Sequence, residues 1–288
     1  MLDGMLSFWP SIVLLSIVQG ALVALPAPLR DSRLARLCSG RWAVIPPLSV
    51  IGFVFVTRAA ESASADGLTY LALVAVPVLA ALALGVLARG ARGPAALAVI
   101  PLFALAWADR GAMPGQAAAL CLTALSCVSL GVLLAAVTPP RWLAAGIILM
   151  AIADTALVTS DLLQEPNNAL NAAHPVAGLP QLQSAALGSA VMGYGDLFIA
   201  AALGGLLASE LGLAEQLRGA LLVAVLALLF DLAFLAVDEL PATVPVALAL
   251  VLVALRRRRR GLQPLPRARS ARRLRPPRAE PARPPLVR

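Results

Sequence analysis

A chain of 288 residues that is 60% hydrophobic and 13% charged, with mean hydropathy +0.87, is too apolar for an ordinary soluble domain, whose charged content is about a quarter. Its formal charge of +8 belongs to one end: thirteen arginines and one glutamate from Arg256 onward carry net +12 and leave −4 for residues 1–255. Three cysteines, Cys38, Cys121 and Cys127, with no C-x-x-C spacing, argue against a disulfide framework or a zinc site. Cys121 and Cys127 lie in one apolar run and are expected as buried small hydrophobes.

Apolar runs of about 18 to 23 residues follow one another with short connections, which predicts an all-α polytopic membrane protein; a β-barrel would need alternating ten-residue segments. Nine candidate spans are read in chain order, at about 8–28, 42–59, 68–88, 94–109, 115–137, 142–163, 185–207, 218–237 and 240–255. Pro46, Pro47 and Pro101 interrupt the second and fourth. Residues 1–7 carry Asp3 and no basic residue, so they lack the positive start of a cleavable signal peptide, and the first span is expected to be retained. The organisation expected is five N-terminal spans over 1–141, four catalytic spans over 142–255, and a disordered Arg- and Pro-rich tail over 256–288.

Arginine placement gives an independent check, because cytoplasmic loops hold the basic excess. All 23 basic residues are arginine, as codon bias in a GC-rich genome produces. Loops after spans one, three, five and seven hold eight arginines and the tail thirteen, whereas the other side holds Arg58 and Arg110 alone. Nine spans with the N-terminus outside and the C-terminus cytoplasmic follow, in the cell membrane of a bacterium. Arg256, Arg257, Arg258, Arg259 and Arg260 abut the last span, where each contributes about 1 kcal/mol of attraction to anionic lipids. No aromatic residue interleaves the tail arginines, so nucleic acid is not an expected partner.

Two acids stand deep in apolar runs. Asp154 lies about 12 residues into the sixth span, roughly 18 Å from the cytoplasmic side at about 1.5 Å per residue. Asp196 lies about 11 residues into the seventh, roughly 16 Å from the outer surface of a ~30 Å core. An intramembrane carboxylate is a functional candidate by default. Two carboxyls at one level can share a proton, so that one activates water while the other protonates a departing amine, the aspartic-protease route to amide hydrolysis. Gly193 and Gly195 permit close backbone approach beside the acid. Intramembrane acids also serve proton relays, ion binding and helix–helix hydrogen bonds. Asp231, mid-way along the eighth span, suits a hydrogen bond to a neighbouring helix or a proton path, and Asp161 lies seven residues after Asp154 on nearly the same helical face.

Gly193-Tyr194-Gly195-Asp196-Leu197-Phe198-Ile199 resembles the GxGD signature of the intramembrane aspartyl proteases, the presenilin and signal peptide peptidase superfamily, in which it lies in the seventh of nine helices. The resemblance, to a distant prokaryotic member, implies Asp154 and Asp196 as catalytic residues with Gly193, Tyr194 and Gly195 in support. The family's Tyr-Asp motif in helix six matches Ala153-Asp154, without the tyrosine. Its Pro-Ala-Leu motif has a counterpart in Leu240-Pro241-Ala242-Thr243, so Leu240, Pro241 and Ala242 are expected to contact substrate; Pro245-Val246-Ala247-Leu248 is a looser match. The implied orientation looks like the signal peptide peptidase branch. The resemblance further implies that the stretch 184–192 extends and pairs with an unwound substrate strand. The implied partner is a transmembrane peptide or protein substrate, and no metal or organic cofactor is implied.

Two alternatives use the same acids. Type IV prepilin peptidases also carry a GxGD aspartate, but commonly with a basic residue soon after the motif and a cysteine-rich cytoplasmic segment, neither of which is present. A proton-coupled transporter or a non-catalytic scaffold is the alternative from another class, weakened by the absence of an evident inverted repeat. His174, the single histidine, falls in the predicted outer loop 164–183, which offers it no partner ligands. Asp161 and Glu165 read as interfacial, and Trp9, Trp42, Trp107 and Trp142 lie near span ends as interface anchors.

Overall fold

A computed structural model describes residues 2–29, 37–49, 51–52, 61–162, 164–173, 175–237 and 239–261. His174, Arg58, residues 50 and 53–59 of the second candidate span and the tail beyond Gly261 lie outside the described residues. The helices are α1 (Leu2–Ala24), α2 (Glu61–Leu82, continued as a π-helical turn to Leu87), α3 (Val99–Ala108), α4 (Met113–Val137), α5 (Pro140–Thr159), α6 (Gln164–Ala172), α7 (Tyr194–Glu210), α8 (Leu213–Asp231) and α9 (Val244–Arg259). Strands β1 (Ser184–Leu187) and β2 (Ala190–Gly193) form an antiparallel hairpin between α6 and α7.

The protein is α-helical, and among the described residues four segments, Ala65–Leu87, Met113–Val137, Pro140–Thr159 and Leu213–Leu235, are long and apolar enough to cross a membrane. Phe8–Ala24 and Gly93–Ala108 are shorter apolar helices. Leu71, Val74 and Val78 on α2, and Leu217, Leu221 and Leu229 on α8, are exposed at helical spacing. Such stripes suit lipid rather than water.

At the centre runs α7. Leu197, Leu203, Leu206 and Leu207 are buried, as are Ile199 and the run Ala200, Ala201 and Ala202, so the helix is enclosed on every side. Small residues let its backbone approach its neighbours. An ideal Cβ on Gly204 would stand 2.5 Å from the Val23 carbonyl oxygen of α1, and one on Gly131 of α4 would stand 2.5 Å from the Ala201 carbonyl carbon. Neither site has room for a side chain.

One end of the bundle collects the arginines. Ala27 N–H donates to the Leu87 carbonyl at 2.9 Å and Arg89 N–H to that of Leu25 at 2.7 Å, joining the ends of α1 and α2. Gln216, buried in the first turn of α8, donates to the Val23 and Pro26 carbonyls at 2.8 and 2.9 Å and accepts from Arg89. The Val23 carbonyl belongs to the last turn of α1 and would otherwise be orphaned. Ser39 N–H donates to the Val137 carbonyl at 2.9 Å, which adds the end of α4 and the start of α5. Since α9 starts beside Asp154, late in α5, and runs back along that helix, its final arginines reach the same end.

Several expectations are corrected. The candidate span 185–207 is not one helix: its first nine residues form the hairpin, whose two-residue turn Gly188-Ser189 has Gly188 at φ +59, as a type II′ turn requires. Asp196 is therefore the third residue of α7 and not half-way along a helix. The sixth span ends at Thr159, where Leu162 N–H bonds the Leu157 carbonyl and Asp161 N–H that of Val158, a Schellman closure with Asp161 at φ 56. Asp161 is thus off the Asp154 face. Asp231 is the last α-helical residue of α8 before the 3-10 turn Leu232–Leu235, and the predicted outer loop contains α6. Cys127 is buried as expected, but Cys121 is exposed on the α4 surface.

Candidate active site

The hairpin delivers the chain into α7. Leu187 pairs with Ala190 across the turn, Ala186 with Val191, Ala185 with Met192 and Ser184 with Gly193. Ala185, Leu187, Ala190 and Met192 point into the core, while Val191 and Gly193 face outward. The tip is pinned where Gly188 N–H donates to Gln116 Oε1 of α4 at 2.7 Å.

Gly193 is the N-cap of α7, Tyr194 and Gly195 open the helix, and Asp196 takes the third position. From there the carboxyl reaches back to the Gly193 backbone N–H, the reciprocal half of a capping box, which satisfies one of the unpaired amides at a helix start. Gly193 has φ −64, so conformation does not demand glycine there. Space does: a Cβ would stand 3.0 Å from Asp196 Oδ2 and crowd the carboxyl. Tyr194 turns toward α4, where its hydroxyl pairs with Ser126 Oγ at 2.8 Å and its carbonyl accepts from the Cys127 thiol at 3.8 Å. It anchors the helix start to α4.

Asp154 comes from α5, fourteen residues after Pro140, and is buried. Asp196 feels its charge, so two helices that are not consecutive in the chain place their acids within electrostatic range of each other. The pair lies toward the end opposite the arginines, about 8 Å along α5 from Thr159. Asp196 is half-buried and Asp154 buried within an apolar bundle.

Thr243 completes the surroundings of Asp154. Its hydroxyl donates to Asp154 Oδ2 at 2.6 Å, and its backbone N–H faces the same carboxyl. Leu240, Pro241 and Ala242, expected as substrate contacts, form the turn that carries Thr243. Pro241 is buried, Leu240 and Ala242 are half-buried, and Ala242 packs on the core. The Ala242 carbonyl accepts from Gln19 Nε2 of α1 at 2.8 Å. One helix turn away on the same face of α1, Ser16 donates to Asp231 Oδ2 at 2.6 Å. Asp231 is therefore bound to α1 and occupies a separate polar contact.

Sequence reasoning missed Thr243, Gln19, Ser16 and Ser126. Ser16 and Gln19 had a signal, two polar residues three apart within an apolar helix, which share one face. Thr243 had one too, directly after Pro241-Ala242 at the head of the last apolar run. Among the described residues no three His, Cys, Asp or Glu side chains gather as a metal site. Comparison of the chain with family models, with characterised proteins and with solved structures gives no match.

Proposed function

We propose that the protein is an intramembrane aspartyl protease that hydrolyses peptide bonds within transmembrane segments. The observation that carries this reading is that Asp154 of α5 and Asp196 of α7 stand within electrostatic range of each other inside an apolar bundle. The resemblance of 193–199 to the GxGD signature supports it. In this reading the chain has nine spans, the C-terminus is cytoplasmic, and the arginine run at 256–260 rests on anionic lipid.

The pair holds one proton between its two carboxyls. The ionised carboxyl takes a proton from a water as its oxygen attacks the scissile carbonyl carbon, and the protonated one donates to the carbonyl oxygen. Collapse of the tetrahedral species re-forms the carbonyl and breaks the C–N bond, with a proton passing to the amine. Two acids and one water balance the reaction.

The hairpin gives the substrate a place to lie. Because a two-residue turn makes Leu187–Ala190 a hydrogen-bonded pair, the backbone N–H and C=O of Val191 point away from β1. An unwound substrate segment adding to that edge would run toward Gly193 and the pair. Purified protein in lipid should cleave a transmembrane peptide at a bond inside its apolar segment, located by mass spectrometry. Cleavage that survives Asp154→Asn or Asp196→Asn would refute the assignment.

A further inference from the structure

We infer that Thr243 is a positioning residue for Asp154 and that Gln19 fixes the turn on which Thr243 rides. The inference rests on the proposed protease reading for its kinetic consequence, but its geometric content stands apart. Ala153 has no hydroxyl to offer, and the hydroxyl on Asp154 comes from a residue 89 positions away, at 2.6 Å.

Thr243 is the N-cap of α9, where a threonine hydroxyl ordinarily accepts from an amide in the first helical turn. It makes no such bond. Pro245, in that first turn, removes one amide that would need a cap, and the Thr243 carbonyl already accepts from Ala247 N–H at 3.1 Å. The hydroxyl is left to Asp154, and the side chain is wholly buried, so water does not compete for it. One carboxylate oxygen of Asp154 is thereby held by Thr243. Gln19 acts one step further back. Its amide holds the Ala242 carbonyl, and Ser16 on the same face holds Asp231, so α1 clamps the turn between α8 and α9 at two points.

Three substitutions test this. Thr243→Val keeps shape and burial but has no donor, Thr243→Ser keeps the donor, and Gln19→Leu releases the turn. Thr243→Val should lower kcat about 10- to 100-fold, the range for losing a hydrogen bond to a charged group, with KM within about twofold. Thr243→Ser should recover most of the rate, and Gln19→Leu should fall between. A second readout needs no activity: the infrared carboxyl band that disappears in Asp154→Asn should shift in Thr243→Val and stay in place in Thr243→Ser. A band unmoved by Thr243→Val overturns the inference, whether or not the protein cleaves anything. So does an unchanged kcat in Thr243→Val when Asp154→Asn is inactive, a result that leaves the protease reading standing. Absence of cleavage by the wild type would instead count against the protease reading and leave the infrared comparison decisive.

Discussion

Placing a methyl group at Gly131 of α4 should push away α7, the helix that carries Asp196. An ideal Cβ there stands 2.5 Å from the carbonyl carbon of Ala201 and 2.7 Å from both its oxygen and the Ala202 nitrogen. Non-bonded carbon atoms settle at about 3.5–4.0 Å, so in Gly131→Ala helix α7 must retreat from α4 by about 1 Å. Overpacking of this kind costs about 1–3 kcal/mol. Backbone atoms supply the obstruction, so no side-chain rotation relieves it. Asp196 lies five residues from Ala201 on the same helix and moves with it, whereas Asp154 on α5 does not. A displacement of about 1 Å at reacting groups lowers rates by up to about 100-fold. Thermal unfolding in micelles and cleavage rates in the same preparation should therefore both fall. Gly67→Ala in α2, where a Cβ meets no atom within 4 Å, is the control and should stabilise by about 0.5–1 kcal/mol. A Gly131→Ala protein with wild-type melting and wild-type cleavage would refute the claim that α4 and α7 are locked at this glycine.

Asp231→Asn retains an acceptor for Ser16 and should cleave at the wild-type rate, whereas Asp231→Leu leaves that hydroxyl unpaired and should lower stability by about 1–3 kcal/mol, read by thermal unfolding. Loss of cleavage in Asp231→Asn with unchanged stability would place Asp231 in the reaction. A reporter active only in the cytoplasm, fused after Gly261, should be active, and a silent one beside an active periplasmic fusion would reverse the proposed orientation.

The long apolar helices were legible because continuous hydrophobicity and helical length coincide in them: the expected 115–137 and 142–163 correspond to α4 and α5 within four residues at each end. The run 185–207 was not, because alanine, leucine and methionine read alike in a buried strand and a buried helix. Gly188-Ser189 was the one turn signal inside it. Asp231 looked mid-span because the helix changes to a 3-10 turn within an unbroken apolar stretch. The two acids were legible as charge within apolar runs, but their neighbourhood was not. Asp154 takes its hydroxyl from Thr243 and Asp196 takes an amide from Gly193, one partner far along the chain and the other dependent on where α7 begins. Depth counted from the wrong helix start put Asp196 at mid-helix, whereas it stands in the first turn of α7, where it feels the charge of Asp154.

The unity of the two acids is tested most directly by the cleavage rates of Asp154→Asn, Asp196→Asn and the double variant on one transmembrane substrate. Groups that act as a unit are non-additive, so each single substitution should abolish cleavage to the level of the double variant. A single variant that still cleaves, or two partial losses that multiply in the double variant, would contradict a shared-proton pair.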